Sequence, residues 1–341
     1  MPVSDVLRVI DFGQVTPLRS QTLWHAVAYG VSAGQPATVS FARPSAPYVC
    51  LGYHRDPAEL DEQYCREHGL PVYRRMVGGG PVYLDDRQLF FQICVPAGLV
   101  SPARRDALRT LLTPAVAAFR AAGVAARLDD DGEICLGDRK ICGHGAGQIE
   151  DAVLVCGNLI EVFDHERATA VLALPDPVQR AETLRLMRRY VTATPADPAG
   201  FRTALSAAYA SALGQRAVPG ELTAAELRTV AELDQRFTAP RWVAGPGRPA
   251  RSGRHGRQVK VRAGVWTLAA EARGGARLVA SVVNGVLDRA ELTAPELNGQ
   301  VKTAERALAG ASVRAAADVL SRLGEQGREL AAALTGAGGR S

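Results

Sequence analysis

The stretch VYRRMVGGGPVYLDD, from Val72 to Asp86, places three consecutive glycines between two apolar, strand-like patterns. No other feature limits the fold of this chain so strongly. A glycine run lets the main chain pass very close to whatever it meets, because no side chain stands in front of the peptide N–H groups. Such a loop suits phosphate or carboxylate, which makes Gly78, Gly79 and Gly80 a candidate cradle. Arg74 and Arg75 just before it supply fixed charge, with guanidinium forks matched to anionic oxygens. The plainer reading of the same residues is a turn between strands.

A second run begins at Gly132 and reads GEICLGDRKICGHGAGQIEDAVLVCGNLI. Of the 40 Lys+Arg residues only Lys140, Lys260 and Lys302 are lysine, so arginine is used nearly everywhere a cation is needed. An ammonium is a compact point charge that fits between a phosphate and a carbonyl oxygen, where a planar fork does not. That marks Lys140 as a candidate catalytic residue, while Lys260 and Lys302 read as chance. Asp129, Asp130 and Asp131 read as a solvated hairpin turn rather than a magnesium site.

At 341 residues two domains are expected. Hydrophobic residues at 47% against 22% charged place the chain among globular proteins. A net charge of +5 without basic runs interleaved with aromatics ranks nucleic acid last as a partner. Six cysteines, all in the first half and with no CxxC pair, argue against a disulfide framework or zinc ribbon and for a reducing cytoplasm. No signal peptide or membrane-length apolar run is visible, so a soluble, cytoplasmic protein with no membrane partner is expected.

Apolar spacing predicts a helix over 18–30, strands over 37–42, 48–51, 72–75 and 88–95, and a helix from Ser101 to Gly123. Asp56, Pro57 and Glu59 read as a capped helix start. Three or four strands are expected between Val124 and Phe163, with Lys140 at a turn or strand edge, and helices over 165–235. Strands early, helices flanking and no regular alternation favour an α+β fold, a mixed or antiparallel sheet with helices packed on it. The expected division is a catalytic domain over 1–240, a Gly/Pro/Arg linker over 241–256 and a small α+β domain over 257–335, with strands first and two helices after.

Together, RRMVGGGPVYLDD and GDRKICGHGAG…VLVCGNLI resemble the lipoate-protein ligase A family, related to biotin ligases and octanoyltransferases. The family pattern is Arg-Arg-x-Ser-Gly-Gly-Gly ending in His-Asp, then Gly-Arg-Lys-Ile-Ser-Gly, then His-Gly-Thr. The resemblance implies a biotin/lipoyl ligase-like catalytic domain with a C-terminal accessory domain. It implies that lipoate or octanoate is activated by ATP, with Mg2+, to an acyl-adenylate. The acyl group then passes to a lysine of a lipoyl carrier, either a 2-oxoacid dehydrogenase domain or the glycine cleavage H protein. On the matching positions, Lys140 stabilises charge on the α-phosphate and polarises the acyl carbonyl. Gly78, Gly79 and Gly80 with Arg74, Arg75, Asp85 and Gly143 hold the acyl-phosphate region, and Gly52 belongs to the segment lining the acyl pocket.

Departures are specific. Val77 stands for serine, Leu84 for histidine, Arg87-Gln88 for Gly-Asn, Gly132-Glu133 for Asn-Asp, Cys156-Gly157-Asn158 for His-Gly-Thr, and Arg55 for glutamine. They open two other readings. One is an ATP-independent octanoyl or lipoyl transferase using Cys142 or Cys156 as nucleophile, although a buried, inert cysteine is the plainer reading of Cys142. The other is a non-catalytic acyl or nucleotide binder.

Overall fold

The computed structural model describes residues 4–245, 256–294 and 300–338. Internal contacts divide the chain into two compact units, Met1–Ala173 with Thr192–Arg248, and Leu174–Val191 with Pro249–Ser341. A helix expected within the first domain thus packs with the second.

The first unit is built on a mixed six-stranded sheet. Its strands come from β1 (Val6–Val15), β2 (Thr38–Pro44), β6 (Gln88–Pro96), β10 (His144–Ile149), β11 (Ala152–Ile160) and β12 (Arg216–Pro219), in the spatial order β10-β11-β6-β2-β1-β12. β6 lies inside the sheet, antiparallel to β11 and β2, whereas β1 runs parallel to β2 and β12. Burial on both faces explains why β6 reads QLFFQICVP, nearly continuous in apolar residues rather than alternating. One face packs Ile10, Cys94 and Leu154 against Trp24, Val27 and Val31 of α1 (Arg19–Ser32). The other packs Phe41, Phe91, Ile93 and Val155 against Leu111, Phe119, Phe201 and Tyr209, carried by α3 (Arg104–Ala121) and α6 (Pro198–Leu213).

Two small sheets present the motifs. In the first, β3 (Tyr48–Leu51) lies between β4 (Val72–Arg74) and β5 (Val82–Leu84), with the glycine loop joining the outer strands. The second is a meander of β7 (Ala126–Leu128), β8 (Ile134–Leu136) and β9 (Arg139–Cys142), and Lys140 sits within β9. The expected capping box at Asp56 and Glu59 is present, but it caps a single 3-10 turn. Asp61 then caps a separate helix, α2 (Glu62–Glu67). β12 falls inside the stretch expected to be helical; the parallel pairing that makes it a strand is contributed by residues 6–9 of β1.

Short helix α4 (His165–Ala170) precedes the excursion into the second unit, and α7 (Ala224–Thr238) and α8 (Pro240–Ala244) complete the first. Residues 241–244, expected as the start of a linker, are therefore helical, while 246–255 of that linker lie outside the described residues.

The second unit is an antiparallel sheet of β13 (Arg257–Arg262), β14 (Val265–Glu271), β15 (Arg277–Val283) and β16 (Val286–Thr293) in sequential order. Helix α5 (Pro177–Tyr190) packs on it, with Leu186 and Tyr190 against Val265 and Thr183 Oγ1 2.8 Å from Thr267 Oγ1. The main core of this unit joins Trp266, Leu268, Leu278, Ala280 and Val282 to α9 (Val301–Leu308), α10 (Val313–Ser321) and α11 (Gly324–Gly338), one helix more than the two expected. No helix among the described residues is long and apolar enough to cross a membrane.

A buried ion pair ties the first strand to a late helix. Arg8 of β1 makes a bidentate contact with Glu226 of α7, at 2.9 and 2.5 Å, and its Nε donates to Thr38 Oγ1 at 3.0 Å. Glu226 also closes the capping box of α7 by accepting from the Thr223 amide. Gly30 makes the room: a Cβ there would lie 2.2 Å from Glu226 Oε1. Glu226→Ala leaves Arg8 buried without its partner and is expected to lower the unfolding free energy by about 3–5 kcal/mol. Urea midpoints read this directly, and pairing Arg8→Met with Glu226→Leu should recover most of the loss.

Candidate active site

The glycine loop lies on the edge strand β10. Val77, 1% exposed, seats its methyls over two glycines of that strand: a Cβ at Gly147 would lie 2.9 Å from Val77 Cγ1, and one at Gly145 would lie 3.2 Å from the Gly78 carbonyl oxygen. Gly145 and Gly147 are thus the floor on which the loop rests. Gly52 has a parallel role, since a Cβ there would lie 2.1 Å from the Gly79 carbonyl. Gly79 itself has φ of +104°, a conformation that favours glycine.

Arg74 and Arg75 do not point outward to an anion. Arg74, wholly buried, donates to the carbonyls of Gly52, Tyr53 and Arg55 through Nη1 at 2.6–3.0 Å, and to those of Trp242 and Val243 through Nε and Nη2. Arg75 donates to the carbonyls of Cys50, Gly78 and Gly80 at 2.9–3.2 Å. Both guanidiniums are braces. Arg75 draws the loop's carbonyls toward itself, and the amides of Gly78, Gly79 and Gly80 donate to no protein acceptor among the described residues. Gly79 and Gly80 are exposed. Carbonyls held inward and amides left for a ligand is an arrangement that binds anionic oxygens.

The start of the loop hangs on His25, a residue that sequence reading left inside an amphipathic helix. Its ring is completely buried, stacked on Trp24 at 3.5 Å and edge-on to Phe237 at 4.9 Å. Nδ1 lies 2.7 Å from the Gln21 carbonyl and therefore carries the proton, leaving Nε2 to accept from the Met76 amide at 3.0 Å.

Lys140 lies across β8–β9 from the residue that replaces aspartate in the family pattern. Its Nζ is 2.7 Å from Glu133 Oε2, and His144 Nδ1 is 3.9 Å from the same oxygen. The Lys140 carbonyl accepts from the Thr192 amide at 2.9 Å, which fixes the strand behind the side chain. Asp85 is buried and accepts from Arg87 and from Gln88 Nε2 at 3.2 Å. Gln88 Oε1 accepts from Asn158 Nδ2 at 2.8 Å, and Asn158 Oδ1 accepts from the Gly143 amide at 2.7 Å. Asp85 and Gly143, both expected at the acyl-phosphate region, are thereby joined in one hydrogen-bonded chain within the protein.

All six cysteines are free. Burial pushes the Cys142 thiol up to about 12, against the pull of the Asn158 main chain and the Lys140 charge. Burial also raises Cys156, with the Arg75 charge opposing, and its Sγ lies 3.5 Å from the Gly145 carbonyl. Neither is an activated thiolate in this geometry. Away from these residues, a cavity of about 400 Å³ lies between α3 and the β7–β8 turn, lined by Arg105, Arg109, Leu128 and Asp131 among others. None of the catalytic or binding residues expected from sequence borders it.

The family described as lipoyl protein ligase A/B catalytic domain matches residues 18–193. An octanoyltransferase LipM of Kyrpidia tusciae is 24% identical over 267 residues, 69% of this chain and 97% of the relative. A bipartite lipoate protein ligase of Thermoplasma acidophilum, described with its E2 lipoyl domain, superposes with a TM-score of 0.64 at 21% identity, covering 73% of this chain and 99% of that one. A lipoate-protein ligase A bound with ATP superposes with a TM-score of 0.60 at 22% identity, covering 71% and 99%. The expected α+β architecture is the one these proteins share.

Burial lowers the His25 pKa from 6.5 to about 3, aided by the charges of Arg75 and Arg236 and opposed by the Gln21 bond. The folded protein keeps the ring neutral while the unfolded chain binds a proton below about pH 6.5. The stability tied to neutral His25 is therefore full above pH 6.5 and falls as the pH drops toward 3. Between pH 6.5 and 5 this amounts to about 2 kcal/mol. Urea unfolding across that range should show a flatter slope for His25→Gln than for the wild type.

Proposed function

The chain belongs to the lipoyl protein ligase A/B catalytic domain family, and from that premise we propose that it attaches a lipoyl or octanoyl group to a lysine of a lipoyl carrier domain, after activating the acid with ATP. The observation that carries this reading is the glycine loop, whose carbonyls are held by Arg75 while its amides have no protein acceptor among the described residues. Those amides suit the phosphate of an acyl-adenylate.

In the first step a carboxylate oxygen of the acid attacks the α-phosphorus of ATP and pyrophosphate leaves. In the second the carrier lysine attacks the acyl carbonyl, an amide forms and AMP leaves. Neither step needs a protein nucleophile. Lys140, released from Glu133, would place its ammonium between the phosphate and the acyl carbonyl and stabilise the charge that grows there. Burial raises the Cys142 pKa, which disfavours that thiol as a thioester nucleophile. Among the described residues no group of three or more His, Cys, Asp or Glu side chains could hold a metal ion; a Mg2+ that enters with ATP would be held chiefly by the phosphates. Carrier candidates are the lipoyl domain of a 2-oxoacid dehydrogenase and the glycine cleavage H protein. Free thiols suit a cytoplasmic setting.

A second reading rests on the LipM relatives, matched over 97–98% of their length: octanoyl transfer between carriers without ATP. Cys156, the cysteine that is not fully buried, is its candidate nucleophile.

The test incubates the protein with an apo lipoyl domain and lipoate or octanoate, with and without ATP, and weighs the carrier by mass spectrometry. The expected result is a carrier that gains the acyl mass only with ATP, at a rate about 10²–10³-fold lower in Lys140→Ala. Transfer from octanoyl-carrier without ATP, with the acyl mass found on Cys156, would replace the ligase reading by the transferase. Binding of acid or nucleotide without turnover would favour a non-catalytic binder.

A further inference from the structure

Two departures from the family pattern that are separated by 70 residues touch each other. Gln88 stands where the pattern has asparagine and Asn158 where it has threonine, and their side-chain amides are 2.8 Å apart inside the sheet, at 1% and 7% exposure. We propose that these two residues act together as a positioning device for Lys140, holding the end of its strand from the side of the glycine motif. The inference rests on the acyl-transfer reading above.

The polarity of this relay is forced. At one end Asp85 accepts from the Arg87 guanidinium and main chain, so the group of Gln88 that faces it must be the donor Nε2. That leaves Gln88 Oε1 as the acceptor for Asn158 Nδ2, and Asn158 Oδ1 as the acceptor for the Gly143 N–H. A backbone donor at one end and a carboxylate at the other admit one orientation of both amides. Flipping either would set acceptor against acceptor or donor against donor in a buried place, at the cost of an unsatisfied polar group.

What the relay holds is the break between β9 and β10. Gly143 is the single residue between those strands, three positions after Lys140. Its N–H fixes the plane of the preceding peptide and with it the last residues of β9. The other side of that strand is tied by the Thr192 amide to the Lys140 carbonyl and by Thr194 Oγ1 to the Ile141 carbonyl at 3.3 Å. Lys140 is thus clamped along its main chain while its side chain pairs with Glu133. A donor aimed at a developing charge loses its value when displaced by about an ångström.

The experiment compares wild type, Gln88→Met, Asn158→Leu and the double variant in the carrier-acylation assay and by amide hydrogen exchange at Gly143. Thr38→Val, a buried change on β2 whose side chain bonds to Arg8 and Pro36 and to no member of the relay, serves as a control for lowered stability. In Asn158→Leu the Gly143 amide should exchange at least tenfold faster. Carrier kcat should fall on the order of 10- to 100-fold, with KM within about twofold. Gln88→Met should move both readouts the same way, and the double variant should be no worse than Asn158→Leu, since a broken relay cannot be broken twice. If Asn158→Leu fails to fold, faster Gly143 exchange and reduced kcat in Gln88→Met support the relay in its place. Unchanged Gly143 exchange overturns the relay. Faster exchange with wild-type kcat, strictly additive losses, or an equal fall in Thr38→Val overturns the positioning role. A wild type inert with every donor fails the acyl-transfer reading and the catalytic half of this proposal together, while Gly143 exchange still decides whether the relay exists.

Discussion

The site depends on guanidinium groups bonded to main-chain oxygens. Arg74 and Arg75 are buried, yet the hydrogen bonds described for them run to carbonyls of Cys50, the Gly52–Arg55 segment, the glycine loop and Trp242 and Val243 of the late helix α8. A rigid fork with five donors can gather carbonyls from several segments at once, which a lysine could not do in the same geometry. Burial lowers the Arg74 pKa, and nearby acidic groups oppose that shift. The loop's conformation follows from this gathering, as does the outward exposure of its amides.

The same economy of space explains the glycines on the facing strand. The loop can be drawn so close only because Gly52, Gly145 and Gly147 present bare backbone, and Val77 fills the gap that a smaller residue would leave. The chemistry available is shaped by that closeness. Burial raises the pKa of both Cys142 and Cys156, which disfavours the thiolate that a nucleophile needs.

Much of this was legible in the residues. The glycine run, the central apolar strand and the Asp56–Glu59 capping box announce themselves because each is written in a short window, whereas Lys140, expected at a turn or strand edge, lies within β9. The rest is long-range. Sequence shows that Arg74 and Arg75 are cationic but not which way their forks turn, and the structure turns them inward. His25 looks like one more residue of an amphipathic helix until Met76 is seen to donate to it across 51 positions. Gln88 and Asn158 look like two unrelated losses of family residues, and only strand pairing shows them to be neighbours. β12 was hidden because its partner strand lies at the opposite end of the unit's sequence.

The excursion of Leu174–Val191 out of the first unit bears on how this protein comes into being on the ribosome. Leu186 and Tyr190 are synthesised long before Val265 and the strands that cover them. During that interval the nascent chain carries an uncovered apolar helix face, the kind of surface that chaperones recognise and that drives aggregation when translation stalls. A gene cut at the Gly/Pro/Arg-rich segment would therefore separate no self-sufficient pieces. The N-terminal fragment would keep an orphaned helix, and the C-terminal one would lack a layer of its own core.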